Sequence, residues 1–340
     1  MPDISPSFSI ILPVRNGAKY LSETLESLFA QTYRHFNILV LENQSDDGTV
    51  DILRACKDER LRVFPSDKPL SIEDNWSRIL DLPLAEWMTI VSHDDLLYPD
   101  FLREMTLLIQ AEPDASLYTA HFDLIDAQGQ NIRPSWPAPY RESGDAFLER
   151  RQLWRADSFG TGYVMRSEDY RRVGGIPLYP GLYYADDVLW TELANLKARI
   201  CSPRRLFAYR YYRSSSARQI DLLGIYQASI KYLDYLQTRL YFADAKHRAV
   251  ARTYVARHLN RNYQRFLVNL ISERNPEQMR TYRKMKADLL AIAAQDQRFP
   301  VYNPLLSIIE QVAWIPFRSG RVGILRLMEN TAIWIRQFTD

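Results

Sequence analysis

The fold can be worked out from one short stretch, WMTIVSHDDLLYPDFL (residues 87–102). Its first five residues are apolar or β-branched and predict a strand that is buried on both faces. The strand stops at Ser92. His93 follows, and then come two adjacent aspartates, Asp94 and Asp95. A helix is predicted to begin near Tyr98, so two carboxylates that repel each other lie where a buried strand ends.

The same alternation of buried strand and amphipathic helix fills the first hundred residues. Short apolar runs at residues 8–14, 37–41 and 61–64 predict further strands, and a stripe of leucines from Leu21 predicts the first helix. Such strand–helix–strand units build a Rossmann-like, mostly parallel sheet with right-handed crossovers. We therefore expect an α/β fold whose post-strand loops share one edge, the edge at which such sheets bind ligands.

Polar side chains are concentrated in the loops of that edge. The residues expected to contact a ligand there are Pro13, Val14, Asn16, Glu42, Asn75, His93, Asp94 and Arg210. Glu42 and Asn75 could hydrogen-bond a nucleobase and a ribose, and Arg210 could bind a phosphate through two parallel hydrogen bonds. Taken singly, such residues are more often loop, capping or surface residues. His93 is more often a hydrogen-bonding neighbour than a metal ligand, since Mg²⁺ prefers oxygen.

Asp94 and Asp95 are predicted to hold a divalent cation. Mg²⁺ and Mn²⁺ bind oxygen ligands and typically use one or two protein carboxylates together with the phosphates of a substrate. A cation at this position would cancel the repulsion between the two carboxylates. The alternative is that the pair caps the following helix. We favour the metal site because two other polar loops are expected at the same edge.

A second aspartate pair, Asp186 and Asp187, precedes a helical stripe that begins at Leu189. Capping of that helix is again the alternative. The two roles are compatible, because a carboxylate at a helix N-terminus stays ionised at neutral pH. An ionised carboxylate near a substrate hydroxyl can act as a general base. Asp186 and Asp187 are therefore candidate catalytic residues.

The composition limits the class of protein. The chain has 340 residues, 46% of them hydrophobic, and a net charge of +2, which suits a globular protein and disfavours a general nucleic-acid binder. Two cysteines are too few for a disulfide framework. We find neither a secretory signal nor an apolar stretch long enough to span a membrane, so we expect a cytoplasmic protein. No glycine-rich phosphate motif predicts a dinucleotide site or a P-loop.

The last third of the chain has a different character. Beyond about residue 216 only helical patterns are found, and residues 241–340 carry twice as many lysines and arginines as acidic residues. Aromatic residues such as Trp314 and Trp334 lie among those arginines, a composition that suits the surface of an anionic membrane. The alternative is a helical bundle that packs on the first domain or on a second subunit.

Taken together, these parts resemble a family 2 glycosyltransferase of the GT-A fold, over about residues 6–215. FSIILPVRNGAKYLSETLESLFAQTYRHFNILVLENQSDDGT (residues 8–49) is similar to the family's first strand, helix and nucleotide loop. NWSRIL (residues 75–80) is similar to its asparagine-bearing helix, and SHDDLLYPDFL (residues 92–102) to its metal-binding DxD region. GYVMRSEDYRRVGGIP (residues 162–177) is similar to its acceptor-side segment.

The resemblance implies particular roles for particular residues. Asp94 is implied to bind Mn²⁺ or Mg²⁺ on the donor diphosphate, and Asp187 to be the base that accepts the acceptor's proton. Three positions depart from the family pattern. Glu42 stands where an aspartate is usual, Ser92 where the first aspartate of the DxD motif is usual, and Tyr212 where a histidine is frequent.

The resemblance also implies an activity. We expect an inverting, metal-dependent transfer of a sugar from a nucleotide diphosphate sugar, with UDP as the expected nucleotide, to an acceptor hydroxyl. The expected acceptor is a glycan or lipid-linked glycan of a bacterial surface polysaccharide, an O-antigen or a capsule. The alternatives are a nucleotidyltransferase, which needs a glycine-rich loop where only Gly17 lies, and a catalytically silent scaffold that binds sugar nucleotides.

The expected organisation follows from the same two parts of the chain. Residues 1–215 are expected to form the transferase domain and residues 216–340 a C-terminal helical region. We expect peripheral contact of that region with the inner face of the cytoplasmic membrane, and a homo-oligomer is a further expectation. Nucleic acid is not expected as a partner.

Overall fold

The computed structural model describes residues 5–211, 222–239, 243–251, 253–255 and 258. The chain divides into two compact units. The first is formed by Met1–Tyr212 with Gln237–Ala243, and the second by Arg213–Leu236 with Asp244–Asp340. The domain boundary expected at residue 215 stays a prediction.

The first unit is built on one mixed sheet. Its strands are β1 (Phe8–Val14), β2 (Phe36–Glu42), β3 (Leu61–Pro65), β4 (Trp87–Ile90), β5 (Leu96–Leu97), β6 (Leu117–Ile125), β7 (Asn131–Pro134), β8 (Arg141–Glu142), β9 (Tyr163–Arg166) and β10 (Arg199–Arg210). The strand order is β3-β2-β1-β4-β9-β6-β10-β5, while β7 pairs with β6 and β8 with β10.

The sheet is parallel from β3 to β4 and mixed beyond. Strand β9 lies antiparallel between β4 and β6, and β10 is parallel to β6. The α/β fold with flanking helices is confirmed. The reversal at β9 was not foreseen, because the strand–helix alternation that predicts parallel pairing ends before this part of the chain.

Helices cover both faces of the sheet. They are α1 (Leu21–Phe29), α2 (Thr49–Ala55), α3 (Ile72–Ser77), α4 (Phe101–Ala111), α5 (Gly144–Gln152), α6 (Ser167–Arg172) and α7 (Ala185–Leu196), with short 3₁₀ turns at Arg78–Asp81 and Pro180–Leu182. Ile10 and Leu12 of β1 pack in one core with α1 and α4, and Ile11 packs in the other with α5 and α7. Both faces of β1 are therefore buried, as its apolar run predicts.

The described part of the second unit includes the helix α8 (Leu222–Gln237). Ile225 and Tyr232 are buried on it, and the ring of Tyr232 lies 6.4 Å from that of Tyr254. No helix within the described residues is long and apolar enough to cross a membrane. Tyr212 and the aromatic and basic residues of the predicted membrane-contact region, Trp314 and Trp334 among them, lie outside the described residues.

Candidate active site

The loops after β1 and β2 are joined by hydrogen bonds. The backbone N–H of Asn16 donates to Oγ of Ser45 at 3.0 Å, and the N–H of Asp46 donates to Oδ1 of Asn16 at 3.0 Å. Asn16 adopts a left-handed conformation, with φ of 55°. Pro13 and Val14, which end β1, are buried just before this junction. The structure thus brings the first two polar loops together at one edge of the sheet.

Glu42 supports its own loop. The residue is only 4% exposed, and its carboxylate accepts hydrogen bonds from the backbone N–H groups of Gln44 at 3.2 Å and Ser45 at 2.7 Å. The N–H groups of a turn need acceptors, and the glutamate supplies them. The carboxylate therefore bonds the backbone of its own loop, whereas a contact with a nucleobase was expected.

Asn75 likewise serves the scaffold. Its amide nitrogen donates to the Leu41 carbonyl at 3.4 Å, and its oxygen accepts from the guanidinium of Arg78 at 2.8 Å. The hydroxyl of Ser71 accepts from the N–H of Asp74 at 3.0 Å and so caps the helix. These contacts hold α3 against the end of β2, and the expected ribose contact is not offered by the side chain as it lies here.

Asp95 is completely buried, and both of its carboxylate oxygens are used inside the domain. Oδ1 accepts from the backbone N–H of Arg210 at 2.8 Å, and Oδ2 accepts from the hydroxyl of Thr161 at 2.5 Å. Burial, with the nearby charge of Asp94, raises the pKa of Asp95 to about 8. The metal-ligand role expected for Asp95 stays a prediction, and in this arrangement Asp95 ties three chain segments together.

Asp94 is the carboxylate that stays near the edge. It is half-buried, and so is the preceding residue, His93. The His93 ring packs closely on Gly17, where an added Cβ would lie 2.7 Å from Cδ2 of the ring. The Thr24 hydroxyl donates to the His93 carbonyl at 2.9 Å. The β1 loop and α1 therefore set the position of Asp94, and His93 acts as packing beside it.

Arg210 fixes the same loop from the other side. Its side chain is 1% exposed, its Nε donates to the Asp94 carbonyl at 2.8 Å, and its Nη2 donates to the Glu23 carboxylate at 2.7 Å. The guanidinium also lies 4.5 Å above the centre of the Tyr20 ring. A buried guanidinium needs such partners, and in this position it holds the backbone of Asp94. This differs from the expected contact with a phosphate.

The second aspartate pair lies in the first turn of α7. The N-cap of that helix is Tyr184, in a left-handed conformation with φ of 64°, so neither aspartate is the capping residue. The N–H of Asp187 donates to Oδ1 of Asp186 at 2.9 Å, and Nε of Arg151 donates to Oδ1 of Asp187 at 2.9 Å. Burial, together with the charge of Asp187, raises the pKa of Asp186 to about 7.

One segment, residues 157–161, forms hydrogen bonds with the loop after β4 and with α7, the two elements that carry the aspartate pairs. The Thr161 hydroxyl accepts from the N–H of Ser92 at 3.0 Å and donates to Asp95. The Phe159 carbonyl accepts from Nε1 of Trp190, one turn beyond Asp187 on α7, at 3.0 Å. Sequence reasoning missed this segment, because its contacts join residues far apart in the chain.

The arrangement allows two kinds of chemistry at one edge of the sheet. Asp94 can offer a carboxylate to a hard divalent cation, which commonly needs only one or two protein carboxylates when substrate phosphates are present. Asp186 and Asp187 can offer a proton acceptor. Arg151, which orients Asp187, was also missed, because α5 carries no motif and its contact with α7 joins residues far apart in the chain.

Comparison with known proteins bears on what this edge does. Residues 9–169 match the profile described as Glycosyl transferase family 2. A glycosyltransferase of Rickettsia conorii is 26% identical over 168 residues, covering 49% of this chain and 28% of the relative. The glycosyltransferase GlyG of Streptococcus pneumoniae is 25% identical over 131 residues, covering 38% of this chain and 43% of the relative. The matches thus cover less than half of either relative's length.

Two solved structures share the fold. S. aureus TarS 1–349 in complex with UDP-GlcNAc has a TM-score of 0.56 and 13% identity, over 78% of this chain and 80% of that one. The mannosyltransferase PcManGT from Pyrobaculum calidifontis, in complex with GDP-Man and Mn²⁺, has a TM-score of 0.52 and 16% identity, over 92% of this chain and 86% of that one. The GT-A fold is confirmed by these likenesses.

Proposed function

Residues 9–169 belong to glycosyl transferase family 2, and on this premise we propose that the chain moves a sugar from a nucleotide diphosphate sugar to an acceptor hydroxyl. One observation carries the proposal. A single segment, residues 157–161, hydrogen-bonds Asp95, the neighbour of Asp94, and Trp190, one turn beyond Asp187 on α7. A transferase needs a leaving-group site and a proton acceptor on opposite sides of the reacting carbon, and this edge offers both.

The steps can be assigned to residues of this chain. Asp94 would hold Mn²⁺ or Mg²⁺, and the bound cation would neutralise the charge that develops on the leaving diphosphate. Asp187 accepts the proton of the acceptor hydroxyl while the hydroxyl oxygen bonds to the anomeric carbon. The bond from that carbon to the phosphate oxygen breaks at the same time, and the nucleoside diphosphate leaves. Attack opposite the leaving group inverts the anomeric carbon. Arg151 keeps the Asp187 carboxylate in place.

We further propose a UDP-sugar as donor and a glycan or lipid-linked glycan as acceptor, in the synthesis of a bacterial surface polysaccharide at the cytoplasmic face of the membrane. Support comes from the bacterial glycosyltransferases that the chain resembles and from the UDP-GlcNAc held by TarS. GDP-Man in the second structural neighbour makes a GDP-sugar the donor to test beside it.

Release of nucleoside diphosphate tests the proposal. The full chain is incubated with UDP-GlcNAc, UDP-glucose, UDP-galactose or GDP-mannose, with Mn²⁺ and a mixture of bacterial lipid-linked glycans. We expect release with one donor, slowed by about 10²–10⁴-fold in Asp187→Asn. Asp114→Asn is the control, because Asp114 is 91% exposed in a loose surface pair with Lys197. Donor binding without release would favour the silent scaffold. The absence of both binding and release would overturn the proposal.

A further inference from the structure

Tyr209 is held by contacts that lead to the segments of both aspartate pairs. It lies near the end of β10, directly before Arg210, whose N–H donates to Asp95. Its ring stacks on Phe159, with the ring centres 3.6 Å apart and the planes 10° from parallel. Phe159 in turn holds Trp190 of α7 through its carbonyl. The stacked pair therefore connects the loop of Asp94 with the helix of Asp187.

The hydroxyl of Tyr209 can donate a hydrogen bond to a bound molecule. Within the described ranges, no hydrogen bond reaches this oxygen. Two other tyrosines of the same sheet region differ: the Tyr98 hydroxyl donates to Asp123 at 3.0 Å, and the Tyr118 hydroxyl donates to the Glu112 carbonyl at 2.6 Å. Tyr209 is half-buried, so its hydroxyl is available to a molecule bound at the candidate active site.

Charges from both aspartate pairs act on that hydroxyl. Burial raises the pKa of Tyr209 well above its usual value, and the charges of Asp95, Asp94 and Asp186 raise it further. The phenol therefore stays protonated at any working pH and acts as a hydrogen-bond donor. Carboxylates from both pairs lie close enough for their charges to act on the phenol.

In the proposed reaction, the position of the Tyr209 hydroxyl corresponds to that of the transferred sugar. The diphosphate lies on the side of Asp94 and the acceptor hydroxyl on the side of Asp187, so the transferred sugar lies between them. We propose that the Tyr209 hydroxyl donates a hydrogen bond to an oxygen of the transferred sugar, with Phe159 fixing its direction. This inference rests on the proposed function and adds a contact that selects the donor by its sugar.

The variant Tyr209→Phe tests this contact, because it removes the hydroxyl and keeps the stacked ring. Binding is measured by calorimetry in Mn²⁺ with two matched pairs of probes, UDP with UDP-GlcNAc and GDP with GDP-mannose. We expect unchanged affinity for the nucleoside diphosphate and about 2- to 10-fold weaker binding of its sugar nucleotide, the loss of one hydrogen bond. The Tm should stay unchanged, because the hydroxyl has no protein partner to lose.

Tyr140→Phe is the matched control, because Tyr140 is an exposed tyrosine near Glu112, and it should bind all four probes like the wild type. Equal weakening of UDP and UDP-GlcNAc would assign Tyr209 to the diphosphate and overturn the inference. Unchanged binding of both, or a lowered Tm, would overturn it too. If the wild-type chain binds none of the four probes, the proposed function fails and the role of Tyr209 fails with it.

Discussion

Arg151 donates a hydrogen bond from Nε to Oδ1 of Asp187 over 2.9 Å, and this contact joins the end of α5 to the start of α7. The Asp187 side chain is 2% exposed and that of Arg151 is 20% exposed. A second donor of Arg151 reaches the Ala156 carbonyl at 3.2 Å, directly before the segment at residues 157–161. The pair therefore fixes the direction of a buried carboxylate beside the candidate active site.

Replacement of Arg151 by glutamine should destabilise the chain. It leaves Asp187 buried without its cation, and breaking such a pair costs about 3–5 kcal/mol when both partners are buried. Because Arg151 is partly exposed, we expect the lower end, about 3 kcal/mol, measured by urea denaturation. Arg54→Gln is the control, since its pair with Asp51 is exposed and worth about 0–1 kcal/mol. Equal losses in the two variants would contradict a structural role for the buried pair.

The two aspartates of α7 should differ in their effect on turnover. Asp187→Asn should lower kcat by about 10²–10⁴-fold, the usual contribution of a general base, with little change in the donor KM. Asp186→Asn should lower kcat less, because Asp186 supports its neighbour by accepting the Asp187 N–H. Steady-state kinetics on both variants decide between them. The larger loss in Asp186→Asn would move the role of base to Asp186.

The adjacent aspartates after β4, Asp94 and Asp95, should differ in their effect on metal-dependent UDP binding. Asp94→Asn should abolish the Mn²⁺-dependent part of UDP binding, because Asp94 is the carboxylate near the edge. Asp95→Asn should keep it, because both oxygens of Asp95 are bonded inside the domain to Thr161 and Arg210. Calorimetric titration with UDP, with and without Mn²⁺, measures both. Loss of metal-dependent binding in Asp95→Asn at unchanged Tm would show that Asp95 is a ligand after all.

Asp95 should also give the stability of the chain a pH dependence. Its pKa of about 8 lies above the ordinary value of 3.8, so the folded chain binds this proton more tightly than the unfolded chain. The stabilisation is complete below about pH 4 and is lost as the pH rises towards 8. Asparagine carries no such proton, so the free energy of unfolding of Asp95→Asn should rise relative to that of the wild type between pH 5 and pH 8. Urea denaturation without metal measures this, and a pH-independent difference would contradict it.

The elements of the first half of the chain could be predicted from local pattern. The apolar run at residues 8–14 is β1, and the leucine stripe that begins at Leu21 is α1. Amphipathic periodicity and capping depend on residues a few positions apart, so they can be read from the chain alone. The same holds for Asp94, whose place follows from the end of β4.

The sequence by itself determined the order of strands and helices in the first hundred residues and the edge at which their polar loops meet. The tertiary structure alone decided which of those polar side chains turn inward and which stay near the surface. Asp95 is buried because its partner Thr161, 66 residues further on, comes to lie beside it, and Arg210 is buried against Glu23, 187 residues away. A polar side chain turns inward only when a distant partner satisfies it there, and no local pattern contains that partner.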